Sequence, residues 1–174
     1  MLRGEVVRIC LVFQRHGAKH ERAGQMGNVS TYEIILTDAP GTQAKTAIDE
    51  GLATYNVHHA RIDDRRDLAV LIRDLRTAEI LGGILGRTSL GLLFIDLVFI
   101  PVAMRGRGLG SRMLQMAEEE ARARGCVNAV LYTISFQAPD FYAKHGWHEF
   151  GKVDCHPPGT SRVLPSPAKE TAHG

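Results

Sequence analysis

Between Met104 and Gly125 the chain gathers residues suited to a charged ligand. Gly106, Gly108 and Gly110 alternate with larger residues, and Arg105, Arg107 and Arg112 stand among them. A nearly all-apolar stretch, Leu90 to Pro101, comes before the glycines, and a helical pattern follows them. This is the arrangement of an anion site. Glycines let the backbone come close to a ligand, the first N–H groups of a helix lack internal partners, and the helix dipole favours negative charge there. The expected ligand is a phosphate or pyrophosphate. Just upstream, Asp96 is the only charged residue between Leu90 and Pro101. Burying a carboxylate without a partner is costly and would raise its pKa, which suits a general base. The competing reading is a structural ion pair with a nearby arginine.

Three glycine-loop chemistries compete. A Walker loop needs Lys followed by Ser or Thr after its last glycine, whereas Ser111-Arg112 follows here. A Rossmann fingerprint needs its third glycine where Ser111 stands, and it follows a first strand near the chain start. The third pattern, Arg/Gln-x-x-Gly-x-Gly/Ala, is met by Arg105, Gly108 and Gly110. It resembles the coenzyme A loop of the GNAT superfamily of N-acetyltransferases. A second stretch agrees. Family members commonly show Asn-x-x-Ala-x-x-Leu-Tyr-x-x-x-Gly-Phe, and Ala138, Phe141, Tyr142, Gly146 and Trp147 fit it, with Ser135 at the asparagine position.

The resemblance covers about Thr31 to Leu164 and implies acetyl-CoA as cofactor and direct transfer to an amine in a ternary complex. Holding thioester and amine in attack geometry can lower the barrier by roughly 7–11 kcal/mol. The thioester oxygen needs a donor aimed at it, the ammonium must lose a proton, and the leaving thiolate benefits from gaining one. In this superfamily a backbone N–H on the buried strand, near a bulge, serves the oxygen. The matching segment is Val98, Phe99 and Ile100, whose backbone would also pair with the pantetheine arm like an added strand. Tyr142 matches the tyrosine that often protonates the sulfur, against the plainer reading of a core tyrosine. Asp96 stands where many members place an acidic base or amine anchor. Arg105, Gly106, Arg107, Gly108, Leu109, Gly110 and Ser111, with Ser135, Phe141 and Lys144, complete the implied cofactor contacts. Cys126, with no histidine nearby in sequence, reads as a structural thiol and not as an acetyl carrier.

For the acceptor, Gly51–Asn56 and the Gly82-Gly83 pair look like acceptor-facing parts of small-molecule branches, which makes Tyr55, Asn56, Gly83 and Asp96 the substrate candidates. The branch suggested is similar to kasugamycin-type aminoglycoside N-acetyltransferases, an antibiotic-resistance activity. A polyamine, amino acid or peptide amine is the alternative acceptor. Two other classes stay open: an acyl-CoA sensor without catalysis, and a nucleotide-binding module.

The elements that must position these residues follow from periodicity. Thr31 to Leu36 is rich in β formers. Ile48, Leu52 and Tyr55 recur at helical spacing, predicting a helix over about Ala44–Val57 that ends near His58-His59. Those adjacent histidines face different ways on a helix and so read as a helix end, not a metal pair. Asp67–Arg73 and Glu79–Arg87 read as a strand pair, with Gly82-Gly83 marking a bulge or a place where a ligand or another backbone comes close. Thr88-Ser89 reads as the next turn, before the long buried strand from Leu90 to Ile100. Leu109, Met113, Leu114, Ala117 and Ala121 form the apolar stripe of the central helix, which Gly125 caps. On its outer face Glu118 and Glu120 precede Arg122 and Arg124 by four residues. A strand over Val127–Ile134, a short helix over Ala138–His145, a strand over Trp147–Val153 and an edge strand over Thr160–Leu164 complete the set. The fold class is α/β, the GNAT fold: a mixed, mostly antiparallel sheet of six to seven strands flanked by helices on both faces.

Composition is that of a soluble, globular chain. A length of 174 residues suits one domain with a full core. A formal net charge of +2 carries no nucleic-acid footprint, and three scattered cysteines fit a reducing compartment without disulfides or metal. No stretch is long enough for a membrane span and none reads as a signal peptide, so the expected location is cytoplasmic. Similar enzymes are commonly dimers, so the resemblance allows a homodimer. Residues 1–28 read as a flexible extension, with Met26 a candidate start of a shorter product, residues 29–164 as the acetyltransferase domain, and residues 165–174 as a disordered tail. Removing residues 1–25 is expected to leave solubility and thiol release unchanged; an insoluble product would overturn that division.

Overall fold

The computed structural model describes residues 32–167. The expected extension over residues 1–28 and the tail from residue 168 lie outside them. Residues 32–40, a unit by themselves, form neither helix nor strand, so no strand is formed over 32–36. Their β-forming side chains stay exposed, Leu36 completely. A strand needs a partner ladder for its backbone groups, and composition alone does not supply one.

The rest runs α1 (Gly41–Ala60), β1 (Arg66–Arg73), β2 (Ile80–Ser89), β3 (Leu92–Phe99), a short 3-10 turn, α2 (Leu109–Ala123), β4 (Asn128–Leu131), β5 (Thr133–Ile134), α3 (Pro139–Lys144), β6 (Trp147–Cys155) and β7 (Thr160–Pro167). The strands form two sheets, β1-β2-β3-β4 and β5-β7-β6, with every pairing antiparallel except β3 with β4. Two expectations are corrected here. β7 lies between β5 and β6 and is not an edge, and it continues through the buried Pro165 to Pro167, into the expected tail. The single strand over Val127–Ile134 is split at Tyr132: β4 stays with β3, and β5 turns to β7. Ser166 links the two sheets, its hydroxyl proton shared between Asn128 Oδ1 (2.9 Å) and Ala129 O (2.8 Å).

α2 supplies the core. Its Met113, Leu114, Ala117 and Ala121 are buried against Leu68, Ile84, Leu93 and Ile95 of the first sheet. Each larger apolar side chain buried this way contributes about 1.5–3 kcal/mol, and Ala117, fully buried, lets the helix approach closely. The helix ends as its sequence demands. Gly125 has φ +81°, its N–H reaches Arg122 O, and the Cys126 N–H reaches Ala121 O, a Schellman closure. Both expected Glu–Arg pairs form, and Arg124 reaches further, donating to Asp67 O and Thr88 Oγ1. α1 forms around its expected span but buries none of its residues. His59 donates back to the Tyr55 carbonyl at its C-terminal end.

β2 explains its own glycines. A Cβ on Gly82 would sit 2.5 Å from Phe99 O, and one on Gly83 would sit 2.5 Å from Val70 O. Both structural readings offered for this pair are observed: neighbouring backbone comes close, and the ladder to β1 shifts beside Gly82, where Ile72 pairs with Gly82 and Arg73 with Ile80. Gly86 is equally restricted by Phe94 O. The β2–β3 turn falls at Leu90-Gly91, two residues later than expected, with φ +51° and +71°. Asp64 holds it by accepting both turn N–H groups, at 2.7 and 3.1 Å. Two successive positive φ values define a turn that favours Asn-Gly. Leu90→Asn is therefore expected to raise Tm, since a β-unbranched but bulky residue in this conformation costs about 1–2 kcal/mol; an unchanged or lower Tm would count against strain at Leu90.

Candidate active site

The site is made by two strands parting. β3 and β4 pair only from Leu92↔Asn128 to Ile95↔Leu131. Beyond that point β3 runs on, bonded to β2 alone, while the chain after Leu131 leaves for the other sheet. The edge of β3 from Asp96 to Phe99 faces a cleft of about 920 Å³, lined across the gap by Leu131 to Ile134. At the parting, β3 carries a bulge. Gly86 pairs with Ile95 and Leu85 with Leu97, so Asp96 is the extra residue. A bulge re-aims the side chain it inserts.

The phosphate end lies at the start of α2. Gly106, Gly108, Leu109, Gly110 and Ser111 line the cleft with Arg105. Gly108 caps the helix with φ +76°, and a Cβ there or on Gly106 would meet nothing within 4 Å. These glycines are needed for backbone conformation, and the space beside them is open. The Gly108 carbonyl accepts the first helical bond, from the Arg112 N–H, which leaves the N–H groups of the first turn without helical acceptors. Gly110 has a different reason: a Cβ would press on Phe141 (3.2 Å) and Ile100 (3.4 Å). Arg105 Nε donates to Ile100 O at 2.9 Å, so this arginine ties the loop to the end of β3.

Phe141 and Tyr142 line the same cleft, with the Phe141 ring against Gly110. Tyr142 is 6% exposed and packs against Phe141 and Trp147. Its hydroxyl makes no hydrogen bond among the described residues, although the residue lines the cleft. Burial pushes its pKa above the ordinary tyrosine value, because ionisation would leave an anion away from water. The chain that ends α3 and opens β6 is tied to α2 at two points. His145 bridges Phe141 O (2.7 Å) and Ser111 Oγ (2.9 Å), and Trp147 Nε1 donates to Glu118 (2.9 Å).

Asp96 differs from its expected setting. It is not buried: its side chain is 48% exposed and makes an ion pair with Arg87, whose Nη1 lies 2.6 Å from both carboxylate oxygens. The bulge turns it out of the apolar side of the strand, and Arg87, stacked over Phe94, supplies the partner. It nonetheless lines the cleft.

The cleft gathers Asp96, Val98, Phe99, Ile100, Arg105, Gly106, Gly108, Leu109, Gly110, Ser111, Phe141 and Tyr142 from the expected set. Six other expected residues do not line it. Ser135 spends its hydroxyl on the Ser161 N–H (3.1 Å), joining the chain after β5 to β7. Arg107 and Lys144 are exposed outside the lining. Tyr55 and Asn56 lie on α1, where Tyr55 stacks on His59, and Gly83 answers to the β1 backbone. Sequence reasoning missed Arg87, Tyr132, Phe136, Gln137, His145 and Arg162. Only Arg87 had a signal, the need of an isolated Asp96 for a cation. Cys126 is half-buried, and burial raises its pKa, as befits a structural thiol.

The arrangement fits the expected cofactor. The open helix start suits a pyrophosphate, the edge of β3 beyond Ile95 suits an amide-bearing arm, and Tyr142, its hydroxyl unbonded among the described residues, lines the same cleft. Comparisons with known proteins agree. Residues 30–147 match the acetyltransferase (GNAT) family. An acetyltransferase of Agrobacterium fabrum is 38% identical over 120 residues, covering 69% of this chain and 87% of that protein. Blasticidin-S acetyltransferase of Streptomyces morookaense is 39% identical over 88 residues, 49% of this chain and 65% of that protein. Among solved structures, an acetyltransferase from Agrobacterium tumefaciens superposes with a TM-score of 0.72 at 34% identity, covering 78% of this chain and 98% of that one. One from Bacillus cereus gives 0.62 at 28%, covering 78% and 96%. With loop, parted strands and family match in agreement, the chain belongs to the GNAT family and is an acetyl-CoA-dependent N-acetyltransferase.

Proposed function

We propose that the acceptor is a primary amine of a small polar molecule of the antibiotic type, acetylated by direct attack. The observation that carries this reading is that one cleft joins the start of α2 to Asp96 and Tyr142, with a volume of about 920 Å³ that falls in the range of small-molecule sites. The likeness to blasticidin-S acetyltransferase supports a small-molecule acceptor. The aminoglycoside expectation finds no support in the charges. Aminoglycosides are polycations, whereas the charged residues lining the cleft are one carboxylate, Asp96, and two guanidiniums, Arg105 and Arg162.

Acetyl-CoA supplies the thioester that the amine attacks and the thiolate that leaves. The protein's part divides among four groups. The N–H groups at the start of α2 hold the pyrophosphate. The free edge of β3 at Val98–Ile100 lines up the arm and directs a donor at the carbonyl oxygen. Asp96, fixed by Arg87, binds the ammonium and draws off its proton. The Tyr142 hydroxyl, bonded to nothing else among the described residues, gives its proton to the departing sulfur.

Tyr142→Phe should lower kcat by about 100-fold or more with acetyl-CoA binding unchanged; wild-type turnover would remove the acid role. The raised Tyr142 pKa carries a sign. Folding favours the protonated hydroxyl, so its contribution is complete below the unfolded value near 10 and is lost as pH rises through the folded value. The wild-type kcat profile should accordingly show no alkaline loss from this group below about pH 10. Gly108→Glu should abolish the rise in Tm given by acetyl-CoA, while Gly108→Ala, sharing the backbone strain without the charge, should keep most of it. Equal binding by both variants would mean that the loop is not the phosphate site.

A further inference from the structure

The walls of the cleft carry a second charge pole. Of the three charged residues that line it, Arg105 donates to Ile100 O and Asp96 is paired with Arg87. The Arg162 side chain has no hydrogen bond or ion pair among the described residues; its guanidinium lies over the Tyr132 ring, 4.9 Å from its centre. A guanidinium stacked on an aromatic face keeps its N–H fork available and ordered. Its backbone is also held from both sides, since Arg162 is opposite Ile134 of β5 and Val153 of β6.

The sheet faces decide which ligand meets it. Ala129 and Leu131 are buried in the core with α2, so Tyr132, next in alternation, points to the other face, and Arg162 lies with it. On β2, Thr88 is buried and bonded to Arg124 of α2, so Arg87 points away from α2, and its partner Asp96 lies on that side. The Asp96 carboxylate and the Arg162 guanidinium therefore stand on opposite walls of the gap, on the face away from the helix that bears the anion loop. A molecule entering from that face meets one negative and one positive group.

Building on the acyl-transfer reading above, we propose that Arg162 is an anion subsite for the acceptor, so that the preferred acceptor carries a carboxylate or phosphate as well as its amine. The amine goes to Asp96 and the anion to the guanidinium, each through charge-assisted hydrogen bonds. Tyr132 serves as a positioning residue for Arg162.

The test is thiol release by the full-length protein with matched amines: α-amino acids against their carboxamides, and glucosamine 6-phosphate against glucosamine. At least one anionic member should exceed its neutral partner in kcat/KM by roughly 10- to 100-fold, and which pair does so separates carboxylate from phosphate. In Arg162→Gln that preference should vanish through the acceptor KM, with the acetyl-CoA KM unchanged, and Arg162→Lys should restore part of it, which guards against a folding defect. Turnover without an anion preference would sink this inference while leaving the proposed function standing. So would a rise in the acetyl-CoA KM alone, which would assign Arg162 to the donor. Turnover of protein amines alone would remove the small-molecule reading and this subsite with it.

Discussion

β3 keeps one neighbour and gives up the other, and the site exists because of that. Backbone N–H and C=O groups at a strand edge must find partners, and in most sheets the next strand provides them. Here pairing with β4 stops at Ile95↔Leu131, while β2 continues to hold β3 as far as Phe99. Among the described residues, the remaining edge is paired with no strand. The departure of β5 to β7 fixes the width of the opening, and Ser166 anchors that departure by bonding back to Asn128 and Ala129.

The charge arrangement follows from the same local irregularity. Gly86 leaves no room for a Cβ against Phe94 O, and beside it the ladder slips by one residue at Asp96. Without the slip, Asp96 would keep strict alternation with its neighbours. With it, the carboxylate comes to Arg87 and remains half-exposed at the cleft, so its charge is held by geometry and not by exclusion of water.

The sequence was most informative where one residue type has one physical use. Gly108 and Gly125, both at positive φ, marked the start and end of α2, and the apolar stripe of that helix named its buried face. The loop and Tyr142 were legible for the same reason, through fixed spacing within short stretches. What stayed hidden depends on pairings far apart in the chain. Residues 127–134 read as one strand because β-branched and aliphatic residues dominate the run, yet the change of partner at Tyr132 is decided by β7, nearly thirty residues on. The same holds for Arg162, whose relation to Tyr132 needs the order β5-β7-β6. Tyr55 and Asn56 do not line the cleft, because helical spacing predicts a helix but not what it packs against, and α1 buries none of its residues. Asp96 was expected to be buried because its neighbours are apolar, and a one-residue slip in register cannot be seen in composition.

The ties from α2 to the chain that ends α3 and opens β6 have a consequence for how such a molecule changes over time. His145 on Ser111 and Trp147 on Glu118 lock the anion loop and Tyr142 into one frame. The outward face of β7, with Arg162 over the Tyr132 ring, takes no part in those bonds. On the acceptor subsite proposed above, substitutions at Tyr132 or Arg162 would alter what is acetylated without resetting how the acyl donor is held. The molecule would then hold a fixed socket beside an adjustable one, and variety among its descendants would collect in the second.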